Sequence, residues 1–465
     1  GLFLYRLRTD FDSYRPGETA HVSVSVANCG PDAFDGEVQI SLEGRGVYGV
    51  QKVPVKIKSG GEMTAEAEVR VPDGGEDLLC VTARLVAEAR PLDETQRGFV
   101  VRRPEIDRQG PRLTFEDNYF RLDGRPIFLF GSDNYSNDYK SDVLNPRRWD
   151  EIHALARDYG LQVYENLQYS NPGHKMQETD WRAFEGMGQL LMKRGLVFMC
   201  GLLIGHNVAV NDEELAAEGR QCFEYAERLG KMPAMLWYIN GDYQLRYEDL
   251  EWLKKAWNQW LSDKYKTDEA LRQAWGRQDL PVLGELPFPP AQGNEWSDRP
   301  TIDRMRFNVW LMRRWNENHV AEIQRGDREH AITSEYYSEP FGGIDQRQTI
   351  DGQHVANFGF FSTPQDDLTV LPERLAINDL RAVGKGVSIG EYGVKTHPGW
   401  TVENGARGYH IVRTEEEQKQ LFMSVAAYAL GMGACKIQNW CLRDADEGVF
   451  PWGYFYPGRN VPKDV

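Results

Sequence analysis

The sequence predicts two domains of different class: an all-β immunoglobulin-like sandwich, then an α/β domain with the (β/α)₈ TIM-barrel fold. Three observations lead to this prediction. Short alternating segments separated by Gly-, Pro- and Asp-rich turns fill residues 1–108. From residue 127 onward, short apolar strands alternate with longer helical patterns, which favours a parallel sheet with helical crossovers. Eight such strands can be counted, and eight parallel strands are the number that closes this type of barrel.

The overall composition fits a large multidomain protein with an acidic surface. The chain has 465 residues, 41% of them hydrophobic, and a formal net charge of −16. We expect neither nucleic acid nor a membrane as a partner, because an acidic chain is repelled by phosphate and by anionic lipid. No window approaches the ~20 consecutive apolar residues of a membrane helix.

The six cysteines show no spacing that is typical of a zinc site. Cys29 and Cys80 lie in the same N-terminal segment, so they could pair, or both could remain free thiols. The chain starts at Gly1, so a signal peptide would already have been removed, and export is neither required nor excluded. We favour a secreted or periplasmic location slightly over a cytoplasmic one.

The predicted sandwich occupies residues 1–108. A turn at 14–18 leads into the strict alternation of 21–26, where every second residue is valine. Further strands are predicted near 36–42, 52–58, 63–71 and 78–88. No cluster of histidines, carboxylates or nucleophiles is found here, so we expect an ancillary domain. Residues 109–118 read as a linker, and 119–465 as the barrel domain, which opens on a small hairpin around Asp123-Gly124.

The barrel segments follow one another in a regular order. Asn145 and Pro146 are typical of a helix start, and Gly160 of its end. Strands are predicted at 127–130, 161–167, 196–204, 234–239, 331–337, 355–361, 387–391 and 434–440. The later helices are predicted near 179–194, 212–230, 247–275, 302–325, 365–384 and 414–431.

The seventh predicted strand carries the most informative carboxylate. Glu391 ends a short apolar strand and is flanked by Gly390 and Gly393, which allow close approach of backbone or ligand. In a (β/α)₈ barrel the chemistry lies at the C-terminal ends of the strands. A capping or ion-paired glutamate is the alternative interpretation of this stretch.

The other strand ends are also polar. A barrel with a purely structural role has no need for carboxylates, amides and aromatic rings at one rim, so we predict a polar pocket of the size of a sugar. The candidate residues at these strand ends are Asp133, Asn134, Glu165, Asn166, His206, Asn240, Asp242, Glu335, Tyr337, Glu391, Asn439, Trp440 and Arg443.

Four passages resemble the retaining β-glycosidases with (β/α)₈ folds, and in layout the β-galactosidases of glycoside hydrolase family 42. They are the hairpin 121–126, the helix segment 260–276, Glu391 with 398–400 behind it, and 438–444 with Gly448. The resemblance implies a glycoside hydrolase that cleaves a β-glycosidic bond in an oligo- or polysaccharide. It implies two carboxyl groups on opposite faces of the bond, and it needs no cofactor and no metal ion.

The resemblance gives Glu391 the role of nucleophile. In the family the acid lies in a Trp-x-x-x-Asn-Glu stretch on strand four. Matching on Trp237 places Gly241 at the amide and Asp242 at the acid, so we expect Asp242 to be the acid/base. This departure shortens the acid by one methylene. Retaining pairs lie about 5–5.5 Å apart and inverting pairs about 6.5–9.5 Å, and we favour retention.

Several alternatives stay open from the sequence. Glu335 and Glu165 also follow predicted strands and could supply the acid. Asn134, Asn166, His206, Asn240 and Tyr337 could bind sugar hydroxyls together with Asp133, Asn439 and Arg443, and Trp440 could stack on a sugar ring. The main rival function is a carbohydrate-binding barrel without catalysis that has lost the Asn-Glu pair. The third is a structural module that uses the sandwich as its interface.

Overall fold

The structure is a computed structural model of the whole chain. It describes residues 1–133, 145–166, 175–204, 208–209, 211–241, 250–289, 297–335, 352–361, 369–382, 384–396, 412–444, 452–456 and 461–463.

The N-terminal domain is a β-sandwich, as the sequence predicts. One sheet has the order β1-β3-β6 and the other β2-β8-β7-β4-β5. The alternation of 21–26 places Val22, Val24 and Val26 in the core, because successive side chains of a strand point to opposite faces. The strands are β1 Leu2–Thr9, β2 Ser13–Tyr14, β3 Thr19–Asn28, β4 Phe34–Glu43, β5 Val47–Ile57, β6 Glu62–Arg70, β7 Leu78–Ala87 and β8 Arg90–Val101.

A small antiparallel sheet precedes the barrel. Its strands are β9 Leu113–Glu116, β10 Tyr119–Leu122 and β11 Arg125–Ile127. The predicted hairpin is present, with Asp123 and Gly124 both at positive φ, as a two-residue hairpin turn of this type requires. The segment 109–118, predicted as a linker, contains β9, which pairs with β10.

Eight parallel strands form a closed barrel, and each overlaps one of the eight predicted segments. The strand order follows the chain, and the first strand pairs with the last to close the ring. The barrel strands are β12 Leu129–Ser132, β13 Val163–Asn166, β14 Val197–Leu202, β15 Met235–Ile239, β16 Ala331–Glu335, β17 Val355–Phe361, β18 Gly386–Gly393 and β19 Lys436–Asn439.

Helices surround the barrel, and one sequence prediction needs correction. The segment 247–275 was predicted as one helix but forms two, because Thr267 caps the second of them by accepting from the Ala270 N–H. Asn145 caps the first helix as predicted. The described helices are α1 Pro146–Asp158, α2 Glu178–Arg194, α3 Asp212–Leu229, α4 Leu250–Tyr265, α5 Asp268–Trp275, α6 Arg299–Gly326, α7 Leu371–Ala382 and α8 Glu415–Gly431.

Buried polar contacts join the sandwich to the barrel. Arg102, just after β8, forms a buried ion pair with Asp107 and donates to Gln189 Oε1 of α2 at 2.9 Å. The Gln189 amide donates in turn to the Val101 carbonyl at 2.9 Å. The sandwich is therefore fixed to the outer helices of the barrel by buried polar groups.

All six cysteines lie in the described part of the chain, and each is a free thiol. Cys29 and Cys80 are therefore not paired. Of the two possibilities that the sequence leaves open, the structure shows free thiols. None of the described helices combines the length and apolar character that a membrane span requires.

Candidate active site

The interior of the barrel is polar toward the strand ends. Residues that pair in register on parallel strands project on the same side of the sheet. Ser388 pairs with Asn357 on one neighbouring strand and with Lys436 on the other. The alternate residues Ile389 and Ile437 pack with side chains of the outer helices, so the row of Ser388, whose hydroxyl donates to Oδ1 of Asn357, faces the inside of the barrel. Gln438 lies two residues beyond Lys436 and faces the same way.

An extra residue in β18 turns Glu391 toward the inside. Beyond Ile389 the pairing shifts by one residue against both neighbours, so that Glu391 pairs with Gly359 and Tyr392 with Asn439. Simple alternation from Ser388 would direct Glu391 at the helices. The bulge at Gly390 reverses this, since one inserted residue exchanges the two faces of a strand. Glu391 is buried, with 3% of its surface exposed.

Tyr392 and Gly393, the next two residues, hold β18 in position against its neighbours. Tyr392 faces outward, with its ring edge against Phe422 of α8 and its hydroxyl 3.1 Å from that of Tyr454. Burial raises the pKa of Tyr392, so the phenol stays neutral. A Cβ on Gly393 would come within 2.9 Å of the Trp440 carbonyl. Only glycine permits this approach of strands seven and eight, which places Glu391 beside the end of β19.

Gln438 joins the first two strand ends. Its amide nitrogen donates to Oδ1 of Asp133 at 2.7 Å and to Oε2 of Glu165. Its oxygen accepts from the ammonium group of Lys436. All four side chains are buried. The structure thus brings two predicted site residues, Asp133 and Glu165, onto one amide.

Asn439 and Trp440 connect this group to Glu391. The Asp133 N–H donates to the Asn439 carbonyl at 2.9 Å, and the Trp440 N–H donates to the Tyr392 carbonyl at 2.8 Å. Asn439 is fully buried and its amide donates to the Cys441 carbonyl at 2.7 Å. Trp440 is half-buried. Strands seven, eight, one and two therefore form one continuous arc of polar strand ends.

A buried lysine supports the loop after β19. Lys463 donates to Asp444 Oδ1 at 2.7 Å and to the Thr396 hydroxyl at 2.9 Å, so it ties the extension of strand seven to that loop. Burial lowers the pKa of Lys463, against the opposing effect of Asp444. The predicted ligand Arg443 is half-buried beside Asp444, and its backbone bridges to that of Phe455.

Asn240 lies at the end of strand four, but its side chain faces the helices. Its amide donates to Asn316 Oδ1 of α6 at 2.8 Å, and its oxygen lies 2.9 Å from Nδ1 of His319. The positive φ of Asn240, 58°, breaks the alternation of β15 and produces this orientation. Asn240 therefore supports the strand end from outside the barrel.

Some predicted residues cannot be placed with the others. Asn134, His206, Asp242 and Tyr337 lie outside the described residues. Asn166 and Glu335 end β13 and β16, but their side chains are outside the described part.

Four interior side chains, Lys436, Gln438, Asn357 and Ser388, were not among the predicted site residues. The signal was a polar side chain at alternate positions, as in Lys436-Ile437-Gln438, within strands that the barrel buries on both faces. Among the described residues no group of three or more His, Cys, Asp or Glu side chains could hold a metal ion.

Comparison with known proteins identifies the family. The model of glycoside hydrolase family 42, described as β-galactosidase, matches residues 208–447, just over half of the chain. The chain belongs to glycoside hydrolase family 42. This confirms the resemblance that the sequence predicts.

Relatives of this family 42 chain are distant. The β-galactosidase LacA of Lactobacillus acidophilus is 24% identical over 141 residues, which are 28% of the chain and 21% of the relative. Solved structures that match this chain include a calcium-binding mutant of Bacteroides uniformis β-glucuronidase 2, with 15% identity and a TM-score of 0.49. The match covers 100% of this chain and 49% of that one. The β-galacturonidase of Eisenbergiella tayi bound to galacturonate has 13% identity and a TM-score of 0.46. That match covers 100% of this chain and 70% of the other.

Proposed function

We propose that this chain is a β-glycosidase that cleaves an oligo- or polysaccharide, with Glu391 as the nucleophile and Asp242 as the acid/base. The observation that carries the proposal is the bulge at Gly390, which turns a buried glutamate into the barrel beside the end of strand eight. Family membership supports it.

In this mechanism the Glu391 carboxylate attacks the anomeric carbon as Asp242 protonates the leaving oxygen. A covalent glycosyl-enzyme forms, and Asp242 then removes a proton from the water that releases the sugar. Two inversions give net retention. Aspartate is shorter than glutamate, so the end of strand four has to approach the bond more closely, and the buried support of Asn240 fixes that end.

Asp133 and Glu165 serve this reaction best as acceptors for sugar hydroxyls. Gln438 donates a hydrogen bond to each of them and fixes both carboxyl groups at the strand ends. Glu335 and Glu165 remain the alternatives to Asp242 as the acid. Trp440 would stack on a sugar ring, with Arg443 beyond it. Asn439 pairs in register with the outward-facing Tyr392, so it would support the strand end and not bind the sugar. Asn134, Asn166, His206 and Tyr337 remain predicted sugar ligands.

One observation favours a second candidate, a barrel that binds carbohydrate without cleaving it. Gly241-Asp242 stands where the family carries Asn-Glu. Such a protein would keep the arc of Asp133, Glu165 and Trp440 and would hold a sugar there.

Aryl β-glycosides decide between the two functions. The wild-type chain and its Glu391→Gln and Asp242→Asn variants are assayed with 4-nitrophenyl β-galactoside, β-glucoside, β-mannoside and β-glucuronide. We expect one of these to be hydrolysed and Glu391→Gln to reduce kcat/KM by about 10³-fold or more. The exposed Glu224 of α3, changed to Gln, is the matched control and should keep full activity.

Azide tests the role of the nucleophile directly. In a Glu391→Gly variant, azide should restore turnover and give an α-glycosyl azide, because a retaining nucleophile leaves the anomeric carbon open to attack from that face. A β-glycosyl azide would instead assign Glu391 to the acid role. Absence of turnover on all four substrates, together with sugar-induced quenching of tryptophan fluorescence, would establish the second candidate.

A further inference from the structure

A cleft outside the barrel is lined by three tryptophans. Trp252 and Trp260 lie one above the other on α4, and Trp310 faces them from α6. The cleft has a volume of about 560 Å³, which is within the usual range of small-molecule sites, roughly 300–1,000 Å³. Its lining residues come from α3, α4 and α6, so it is separate from the arc that contains Glu391.

The two rows of aromatic residues on α4 differ in exposure. Leu253, Trp257 and Leu261 are fully buried and form the core between α4 and α6. Trp252 and Trp260 are half-buried and line the cleft. The first row is explained by packing alone. The second row packs against this core from outside, with Arg314 over the Trp252 ring and Lys264 over the Trp260 ring, and leaves part of its indole surface exposed.

The exposed indoles are held rigidly from behind. The ring of Trp310, 37% exposed, stacks on Phe307 with 5.5 Å between centroids and 21° between planes. Trp260 stacks on Trp257 at 5.7 Å and 13°, and it also contacts the edge of Phe307. A rigid aromatic surface loses little conformational entropy when a ligand covers it. The cleft is therefore preorganised for a flat apolar surface.

The charged groups of the cleft are largely compensated within the protein. Arg314 pairs with Asp212, and Lys264 pairs with Asp303 below the cleft. The Gln259 amide donates to Asp263 at 3.2 Å. A strongly charged ligand would find little net charge of opposite sign here. A neutral ligand with hydroxyl groups can exchange hydrogen bonds with Lys255, Gln259 and Asp263 at the rim.

We propose that this tryptophan cleft is a second carbohydrate site, which binds a neutral β-linked oligosaccharide away from Glu391. The apolar CH face of a pyranose fits the Trp310 platform, and its hydroxyls reach the polar rim. A protein partner fits less well, because charged residues are depleted at the centre of protein interfaces and here they line the cleft. The choice of carbohydrate rests on the proposed glycosidase function.

Affinity electrophoresis of the full chain tests the site. Native gels contain soluble β-1,4-galactan, β-1,4-mannan or mixed-linkage β-glucan, and all proteins carry Glu391→Gln so that the polysaccharide is not consumed. We expect at least one polysaccharide to retard the protein. Trp310→Ala should weaken the retardation about tenfold or more, as expected for a central aromatic contact.

Two further variants separate binding from folding. Ala256→Arg places a long side chain on the cleft floor between Trp252 and Trp260 and leaves the stacked rings in place, so it should weaken binding as Trp310→Ala does. Tyr428→Ala removes an exposed aromatic ring from α8 and should leave the retardation unchanged. Equal melting temperatures confirm that the variants are folded.

Three results would overturn the proposal. They are no retardation by any of the polysaccharides, retardation that neither cleft variant alters, and a change from oligomer to monomer on Trp310→Ala without loss of retardation. The last result would show that a second copy of the chain covers the cleft. Retardation that depends on Trp310, in a chain that hydrolyses no aryl glycoside, would support the cleft and reject the glycosidase.

Discussion

The ammonium group of Lys436 donates a hydrogen bond to the amide oxygen of Gln438 inside the barrel. Lysine has donors only, so the amide must turn its oxygen toward Lys436 and its nitrogen toward the two carboxylates. One buried lysine thereby determines that Gln438 donates to Asp133 and Glu165 and repels neither of them.

This arrangement predicts strong coupling between Lys436 and Gln438. Changing either residue to Met removes this buried hydrogen bond from the other, and each single variant should lose about 3 kcal/mol of unfolding free energy. The double variant should lose at least about 1 kcal/mol less than the sum of the two, as residues in one hydrogen-bond network do. Urea denaturation of the wild type and three variants measures the coupling.

A matched pair controls for the loss of a buried glutamine. Gln418 of α8 is fully buried and donates to the Val394 and Trp452 carbonyls. Lys436→Met and Gln418→Met should be additive within about 0.5 kcal/mol, because none of the hydrogen bonds among the described residues joins the two side chains. If the Lys436 and Gln438 variants are equally additive, the amide is not oriented by the lysine.

The sequence predicts the fold well because each strand is a short local pattern. The eight barrel strands and the position of Glu391 at the end of the seventh follow from apolar runs bounded by turns and helices. The direction in which Glu391 points does not follow. It depends on one extra residue at Gly390. The alternation within one strand does not show that this strand has one residue more than its neighbours over the same length.

The hydrogen-bond network of Lys436 and Gln438 inside the barrel does not follow from the sequence, for a related reason. In isolation, Lys436-Ile437-Gln438 resembles a strand with one face in water. Closure of the barrel encloses that polar face. Asn240 shows the same limit, since its positive φ sends its side chain to α6, and only the partners Asn316 and His319 disclose this.

The support beneath strand four predicts a large effect at Glu218. Oε2 of Glu218 accepts from the Trp315 indole at 2.6 Å and lies 3.1 Å from Nε2 of His319, whose other nitrogen faces Asn240. The Asn240 amide donates to Asn316, which leaves its oxygen for the imidazole. A proton is therefore required between His319 and Glu218.

In the wild type one oxygen, Oε2, accepts from Trp315 and also faces His319. The amide of Glu218→Gln cannot replace that oxygen in both contacts with a single atom. We expect it to lose about 2–4 kcal/mol of unfolding free energy, since it leaves buried polar groups without a charged partner. Glu317→Gln is the control, because Glu317 pairs with Arg313 on the exposed face of α6 and such pairs contribute at most about 1 kcal/mol. Similar losses in the two variants, measured by urea denaturation, would refute the role of the buried chain.

His153 of α1 predicts a specific pH dependence of stability. Its ring is fully buried with its edge near Tyr164, at 4.5 Å between centroids, and neither nitrogen has a hydrogen-bond partner among the described residues. Burial, assisted by the nearby charge of Arg194, lowers its pKa from 6.5 to about 3. The folded protein therefore keeps this imidazole neutral over most of the acid range.

The sign of the effect follows from proton binding. Between pH 6.5 and pH 3 the unfolded chain binds a proton at His153 and the folded chain does not, so stability falls as pH falls through that window. From pH 7 to pH 5 the loss at this site is about 2 kcal/mol. His153→Phe keeps an edge-to-face contact with Tyr164 and cannot bind a proton. From pH 7 to pH 5 its unfolding free energy should therefore fall by about 2 kcal/mol less than that of the wild type. Equal declines for wild type and variant, measured by urea denaturation at both pH values, would mean that His153 is protonated in the folded state.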